Sequence, residues 1–433
     1  MPERGTPTTN GAGAGAGARC QRGRRIRSAS GLIRGEGSHS PATFARSWTP
    51  GGISYPCRRM RIGICAYWFN RGQGVVARQV RTALDELGHE TFVLARPTRE
   101  TNIRSAFVDR TDVWDQPGIT EASRYEIPPH EYLDWAREHD LQVVFFDQNY
   151  GFEGISGLRR SGVRTIGRFV WEQFAEAHVA EATEALDVIY SLTRCEAERY
   201  LDFGIESPYV QWGVHPDLLA FAPEPREDDD GPVRFFYPAG FLSKRKPLRP
   251  LLRAFSAVDD PGIRLTVKAQ VERQARRLHR AAEEDPRIEI VLEDLPTDEH
   301  LRRFAAADVC LAPSRWEGLG LHLYEAAAFG MPVITNDNPP MNEIVRDGVN
   351  GLLVKGRRRG QAKSGIPSYD PSVRALRRAI AALADPGLRA ELRAGALAQR
   401  ERLSWRHTVA GYAGLLELVG GPRPARGDAE PAR

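Results

Sequence analysis

The chain has 433 residues, 41% hydrophobic and 27% charged, with a formal net charge of +4; that length suits two domains and that composition a globular protein. No stretch approaches roughly 18 consecutive apolar residues, which excludes a membrane-spanning helix, and five scattered cysteines without a CxxC argue against a disulfide scaffold or cysteine zinc site and for a reducing compartment. Residues 1–59 carry ten arginines against Glu3 and Glu36, or +8, so the remaining residues carry −4 and give no reason to expect a nucleic-acid partner.

Residues 1–59 are rich in Gly, Arg, Ser and Pro and include a GAGAGAG run at Gly11–Gly17. Such a stretch buries too little apolar surface to offset its ordering entropy, and it lacks the apolar core of a secretory signal. It reads as a disordered extension, or as sequence ahead of a true start at Met60, with a transit peptide or nucleic-acid arm as the functional alternative. From Arg61 apolar strands alternate with helical stretches. Strands are expected at Ile62–Tyr67, Thr91–Ala95, Leu141–Asp147, Arg164–Val170 and Val188–Leu192. A glycine turn at Gly72 and Gly74 leads into a helix with Val76, Val80, Ala83, Leu84 and Leu87 at 3–4 spacing. Further helices are expected at Glu131–Glu138 and Glu196–Phe203. Alternation of this kind means parallel strands with crossover helices.

APEPREDDDGP, Ala222–Pro232, interrupts the pattern with three prolines and three consecutive aspartates and reads as an interdomain linker. The alternation then restarts. Strands are expected at Arg234–Pro238, Arg264–Lys268, Glu289–Leu292, Val309–Ala312, Val333–Thr335 and Leu352–Val354. Helices are expected at Pro247–Ala257, Glu272–Glu284, Asp298–Ala306, Leu323–Phe329 and Ser372–Ala384. The fold class is therefore α/β, two Rossmann-like domains facing across a cleft, 60–221 as the N-terminal domain and 233–403 as the C-terminal domain. The linker is 222–232, a final apolar helix 404–420 follows, and 421–433 form a flexible tail. Ligands of such folds sit at the carboxyl ends of the strands, which makes the cleft the expected site.

The most informative stretch is PSRWEGLGLHLYEAAAFGMPVITNDNPPMNEIVRDGVNGLLV, Pro313–Val354. Glu317 and Glu325 bracket Gly318-Leu319-Gly320-Leu321, after which a helix opens near His322. Glycines admit close backbone approach, and the first helical amides present unpaired donors to a phosphate. Glu325 in that helix can accept both hydroxyls of a ribose, and Glu317 a sugar hydroxyl; a dipole-favoured helix acid and an ordinary tight turn are the structural alternatives. Upstream, Ala239-Gly240-Phe241-Leu242-Ser243-Lys244-Arg245-Lys246-Pro247 gathers two of only five lysines.

These motifs resemble the retaining glycosyltransferases of group 1, or family 4, which have the GT-B architecture. The family pattern E-G-[FL]-G-L-x-x-x-E-A-x-A-x-G-x-P-V-I, then E-x-V-x-D-G-x-N-G-x-L-V, is matched from Glu317 through Glu325, Gly330, Pro332 and Ile334, and again at Glu343, Val345, Asp347, Gly348, Asn350, Gly351, Leu353 and Val354. The segment Ala239–Pro247 resembles the family's G-R-L-x-x-x-K-G. By this resemblance Lys246 holds the donor diphosphate, as a point charge suits phosphate oxygens. Phe241 stands where the family has Arg, so Lys244 or Arg245 is left to supply the second cation. Tyr67–Gly74 resembles the family's first strand and glycine-rich loop, with Gly72 and Gly74 allowing close approach of the donor. Gln211-Trp212-Gly213-Val214-His215-Pro216 is similar to the N-G-V-D ahead of the linker, with His215 either a base or part of a structural turn. Trp171-Glu172 replaces the family's sugar-contacting His; Glu172 can accept from a donor or acceptor hydroxyl, and Trp171 either stacks on a sugar or belongs to the core. The family recognises the base largely through backbone near segments such as Ile290–Glu293, and its last helix returns to the N-terminal domain.

What the resemblance implies is transfer of a sugar from a nucleotide diphosphate to a small-molecule, glycan or lipid-linked acceptor, as in polysaccharide or glycolipid biosynthesis. The anomeric configuration is retained, with neither metal nor cofactor. The catalytic candidates are Glu317, Lys246 and Glu172. Donor binding falls to Gly72, Gly74, Lys244, Arg245, Lys246, Gly318, Leu319, Gly320, Leu321 and Glu325. A nucleotide-sugar epimerase or phosphorylase on the same fold, or a non-catalytic sugar-nucleotide-binding protein, are the alternatives. The expected location is cytoplasmic, with the basic loop Lys355–Lys363 either facing an anionic membrane or simply solvated.

Overall fold

A computed structural model of the chain describes residues 59–98, 107–223, 231–270 and 275–420. The expected extension, all but its last residue, the tail 421–433 and most of the linker therefore lie outside the described residues. The described residues form one compact unit, in which two parallel sheets each have helices packed against them.

The first sheet contains β1 (Arg61–Tyr67), β2 (Glu90–Arg96), β3 (Ile119–Glu121), β4 (Val143–Asp147), β5 (Arg164–Arg168) and β6 (Val188–Ile189), in the order β3-β2-β1-β4-β5-β6. The second contains β7 (Val233–Gly240), β8 (Ile263–Ala269), β9 (Ile288–Leu292), β10 (Val309–Ala312), β11 (Val333–Asn336) and β12 (Gly351–Val354), in the order β12-β11-β10-β7-β8-β9. Their sequences are near-continuous apolar runs because both faces are covered: VVFFD of β4 and VCLA of β10 are buried throughout. Each order reverses beside its first strand, β1 or β7, and the crevice for a ligand opens at the carboxyl ends there.

The last helix, Trp405–Gly420, returns to the first sheet's side of the molecule and lies against the helix Gly72–Glu86. Trp405 Nε1 donates to Glu86 Oε1 at 3.1 Å, and the hydroxyls of Tyr190 and Tyr412 are 3.3 Å apart. The returning chain crosses at Gly213, where a Cβ would lie 2.5 Å from the Ser404 carbonyl oxygen; this explains the glycine of the Gln211–Pro216 motif. Among the described residues no helix is long and apolar enough to cross a membrane.

Several elements differ from the expectation. β3 and the helices Phe152–Arg160, Val179–Ala185 and Pro386–Arg402 are additional. FEGISGLRR at 152–160 has two glycines, which disfavour a free helix, but a Cβ at Gly154 would fall 2.3 Å from Tyr132 Cδ2, so close packing on a neighbouring helix fixes it. The basic loop Lys355–Lys363 is in fact mostly a strand, β13 (Gly356–Gln361), paired antiparallel with β14 (Pro367–Pro371). Asp370 anchors it by accepting from Arg315 and, at 3.1 Å, from Arg359.

Candidate active site

β10 and β7 are parallel neighbours, so the loops leaving their carboxyl ends lie side by side. Arg245 and Lys246 follow β7; Ser314 and Glu317 follow β10. Lys246 Nζ donates to Glu317 Oε1 at 2.7 Å and to Ser314 Oγ at 3.1 Å. Arg245 Nη1 stands 3.4 Å from Glu317 Oε2 and 3.3 Å from Glu172 Oε1. Glu172 follows β5, so the cluster joins the two sheets' loops. Trp171 Nε1 donates to the Glu317 carbonyl oxygen at 2.7 Å.

Burial would by itself raise the Glu317 carboxyl, but Arg245 and Lys246 outweigh it and hold the group well below the usual carboxylate range. Burial pushes the Lys246 ammonium down and Glu317 partly restores it; with two cations flanking Glu317, we read an ionised pair. Glu172 goes the other way: burial raises its carboxyl, Arg245 offsets part of that, and Glu317 adds repulsion. Among the described residues its buried Oε2 has no hydrogen-bond partner.

Gly320 adopts φ 79°, the left-handed conformation, and caps the helix Leu321–Ala328. Gly318 is small for another reason: a Cβ there would lie 2.7 Å from Val170 Cγ1, so this glycine lets the two sheets' loops touch. Glu325 is partly buried one turn into the helix, and burial pushes its carboxyl up to about 7. His322 is held neutral, its pKa lowered to about 3 chiefly by burial and then by Lys246, and its Nε2 is buried without a partner.

These groups share a cavity of about 720 Å³. Of the residues expected at the site, Gly72, Glu172, Arg245, Lys246, Gly318, Leu319, Gly320, Leu321, Glu325 and Glu317 line it. Gly74 and Lys244 do not. Gly74 is inside the helix Gly72–Glu86, where a Cβ would be 2.2 Å from the Phe69 carbonyl oxygen; its smallness serves the chain's own fold. The expected glycine turn is the first turn of this helix. Lys244 is exposed on the outside of its loop, its carbonyl accepting from Arg315.

Other motif residues are structural. Trp171 is 6% exposed and packs with Val170, Cys195, Ala362 and Ile366. His215 caps the short helix Pro216–Leu219, accepting from Asp217 N at 3.3 Å, and sits edge-on to Trp405. Glu343 lies away from the cavity: its carboxylate accepts from the amides of Arg194 and Cys195 at 2.8 and 2.9 Å, the start of the helix Arg194–Asp202. Asp347 and Asn350 accept from the amides of Leu353 and Arg346 and so close their turn. The cavity wall next to β9 is formed by Leu295, Thr297, His300 and Leu301 rather than Ile290–Glu293, and the Glu293 carbonyl is taken by Lys268 Nζ at 2.6 Å.

The sequence reading missed Arg71, Lys268 and His322, all of which line the cavity. The signals were faint: Arg71 directly precedes Gly72, and His322 sits inside the quoted motif. Among the described residues no three His, Cys, Asp or Glu side chains are grouped to hold a metal ion.

Residues 223–368 match the model of the family described as glycosyl transferases group 1. A D-inositol 3-phosphate glycosyltransferase from Acidothermus cellulolyticus is 39% identical over 121 residues, 28% of this chain and 24% of the relative; the chain thus matches about a quarter of that relative's length. Among solved structures, sucrose-phosphate synthase from Thermosynechococcus elongatus superposes with a TM-score of 0.62 at 18% identity, covering 84% of this chain and 99% of the other. Anabaena HepE in complex with UDP and glucose gives 0.60 at 13% identity, covering 83% and 100%. The architecture is that of the GT-B fold.

Proposed function

We propose that the chain, whose residues 223–368 match the model of the glycosyl transferases group 1, transfers a sugar from a nucleoside-diphosphate sugar to an acceptor hydroxyl with retention of configuration. The observation that carries this reading is the meeting of Lys246, Arg245, Glu317 and Glu172 with the Gly318–Leu321 turn in one cavity between two sheets. The diphosphate lies against Lys246 and the first amides of the helix Leu321–Ala328, where fixed donors meet the charge that develops on the leaving group. Glu325 accepts from the ribose hydroxyls. Glu317 fixes the Lys246 ammonium and accepts from a sugar hydroxyl; the unpaired oxygen of Glu172 accepts from a donor or acceptor hydroxyl.

On this route the bond from the anomeric carbon to the phosphate oxygen breaks while the acceptor oxygen bonds to the same face. The acceptor proton passes to the departing phosphate oxygen, so no side-chain base is required. The chain's own cations supply the countercharge. The HepE structure's UDP and glucose make UDP-glucose the first donor to try, and the D-inositol 3-phosphate relatives make a polyol phosphate the first acceptor. The working location is the cytoplasm, at or near the membrane's inner face if the acceptor is lipid-linked.

The test is thermal shift and product analysis with UDP-, GDP- and ADP-sugars over an acceptor panel. One base is expected to stabilise the protein and one donor to be turned over in the presence of acceptor. Lys246→Ala is expected to lower transfer at least tenfold. Because that variant leaves the buried Glu317 with Arg245 alone, Lys246→Ala with Glu317→Gln is measured beside it, circular dichroism confirming the fold. Wild-type rates in folded variants, or binding without turnover of any donor, reject the reading; free sugar released without acceptor points to an epimerase.

A further inference from the structure

A bound diphosphate brings at least two negative charges, yet the two cations nearest the Gly318–Leu321 turn are already matched. Lys246 is paired with Glu317 and Arg245 with both Glu317 and Glu172. Net positive charge must come from another side chain in the same cavity. Arg168 does not provide it, being held between Asp147 and Glu196 at 3.2 and 3.0 Å with a side chain only 2% exposed. Lys268 keeps its charge but is 3% exposed and has its ammonium fixed on the Glu293 carbonyl at 2.6 Å, and Arg78 faces Asp217, which lines the cavity with it, at 3.7 Å.

Arg71 differs. It enters the cavity from the loop between β1 and the helix Gly72–Glu86, opposite the second sheet. Its guanidinium carbon lies 5.0 Å above the ring of Phe241, which follows β7 and also lines the cavity. A ring face attracts a guanidinium without using any of its N–H donors. The side chain is only 14% exposed; Nη1 donates to the Asn70 carbonyl at 2.5 Å, and among the described residues the buried Nε has no hydrogen-bond partner. Its one carboxylate partner, Asp294 at 2.8 Å, is 46% exposed and does not line the cavity; such a rim pair is weak and exchangeable.

We infer that Arg71 is a diphosphate-binding residue contributed by the opposite sheet's loop, with Phe241 as the shelf that positions it and Asp294 as the partner it leaves when the anion arrives. The inference rests on the donor reading above and deepens it. Arg suits the role because its planar fork can take two phosphate oxygens at once. Because Arg71 and Lys246 reach the same anion from different sheets, donor binding would also tie the two halves together.

The experiment is calorimetric titration of the full chain with UDP, GDP and ADP, and with the corresponding monophosphates. Arg71→Ala is expected to weaken the diphosphate at least tenfold and the monophosphate less than twofold. Phe241→Arg in the Arg71→Ala background, placing the cation on the other loop, is expected to recover diphosphate affinity. Asp294→Ala is expected to leave diphosphate affinity unchanged or raised. If Arg71 is merely a structural latch, Asp294→Ala will match Arg71→Ala and mono- and diphosphate will weaken alike; that result, or no effect of Arg71→Ala, overturns the inference while leaving the transferase reading intact. A wild-type protein that binds no diphosphate removes both.

Discussion

Glu325, partly buried, and Glu317, buried, are glutamates of one motif, yet they are tuned in opposite directions. Glu317 has two cations within 3.4 Å and stays ionised. Glu325 has no such neighbour, and burial alone pushes it up to about 7. A ribose diol donates two hydrogens and so prefers the carboxylate; binding draws off the proton. Nucleoside diphosphate affinity should therefore rise between about pH 6 and about pH 8. In Glu325→Gln that part of the slope should vanish, leaving only the titration of the ligand's own phosphate. An equally steep profile in Glu325→Gln, measured by calorimetry, would reject the ribose role. The acids and glycines of this motif are legible in the sequence because their spacing along one turn and one helix is local. The charge on each is not, since it depends on Lys246 and Arg245 arriving from β7, about 70 residues away in the chain.

Among elements, the helix Arg194–Asp202 shows how a motif residue can serve structure rather than chemistry. Its first amides are satisfied by the Thr193 hydroxyl, which accepts from Glu196 N, and by Glu343 from the far side of the cleft. An anion at a helix start gains from both hydrogen bonds and the dipole. Glu343→Ala should lower unfolding free energy by about 1–2 kcal/mol, read by urea denaturation, while nucleotide affinity falls less than twofold. A loss of nucleotide affinity out of proportion to stability would return Glu343 to the site. The strands of the two large sheets, β3 excepted, were readable from apolar runs of strand length. Helix Pro386–Arg402 was readable in principle, through Asp385 capping Leu388 N at 2.8 Å and Pro at its first position. β13 was not: GRRRGQ has no apolar alternation, and its partner β14 holds it in place.

For the molecule as a whole, the two sheets' loops approach closely at Gly318, where a Cβ would lie 2.7 Å from Val170 Cγ1. Val170 is β-branched and 6% exposed, so it yields little. Gly318→Ala should wedge the two halves apart and lower transfer at least tenfold. Val170→Ala in the same chain should restore most of the rate by removing the clashing methyl. If Gly318→Ala is as active as wild type, or Val170→Ala gives no rescue in steady-state assays, the halves do not need this contact for turnover.

The alternation of strands and helices, the α/β class and the Glu317–Glu325 motif are legible along the chain, because each is a pattern of period or spacing within one element or one turn. That Glu343, Asp347 and Asn350 hold turns and caps, that Gly74 and Lys244 stay outside the cavity, and that Arg71 lies over Phe241 follows from the folded arrangement alone. Those outcomes depend on which strand ends become neighbours and which loops face each other across the cleft. Side-chain pairings of that kind join residues 170 to 319 positions apart, as Arg71 with Phe241 and Trp405 with Glu86 show, and no local pattern along the chain encodes them.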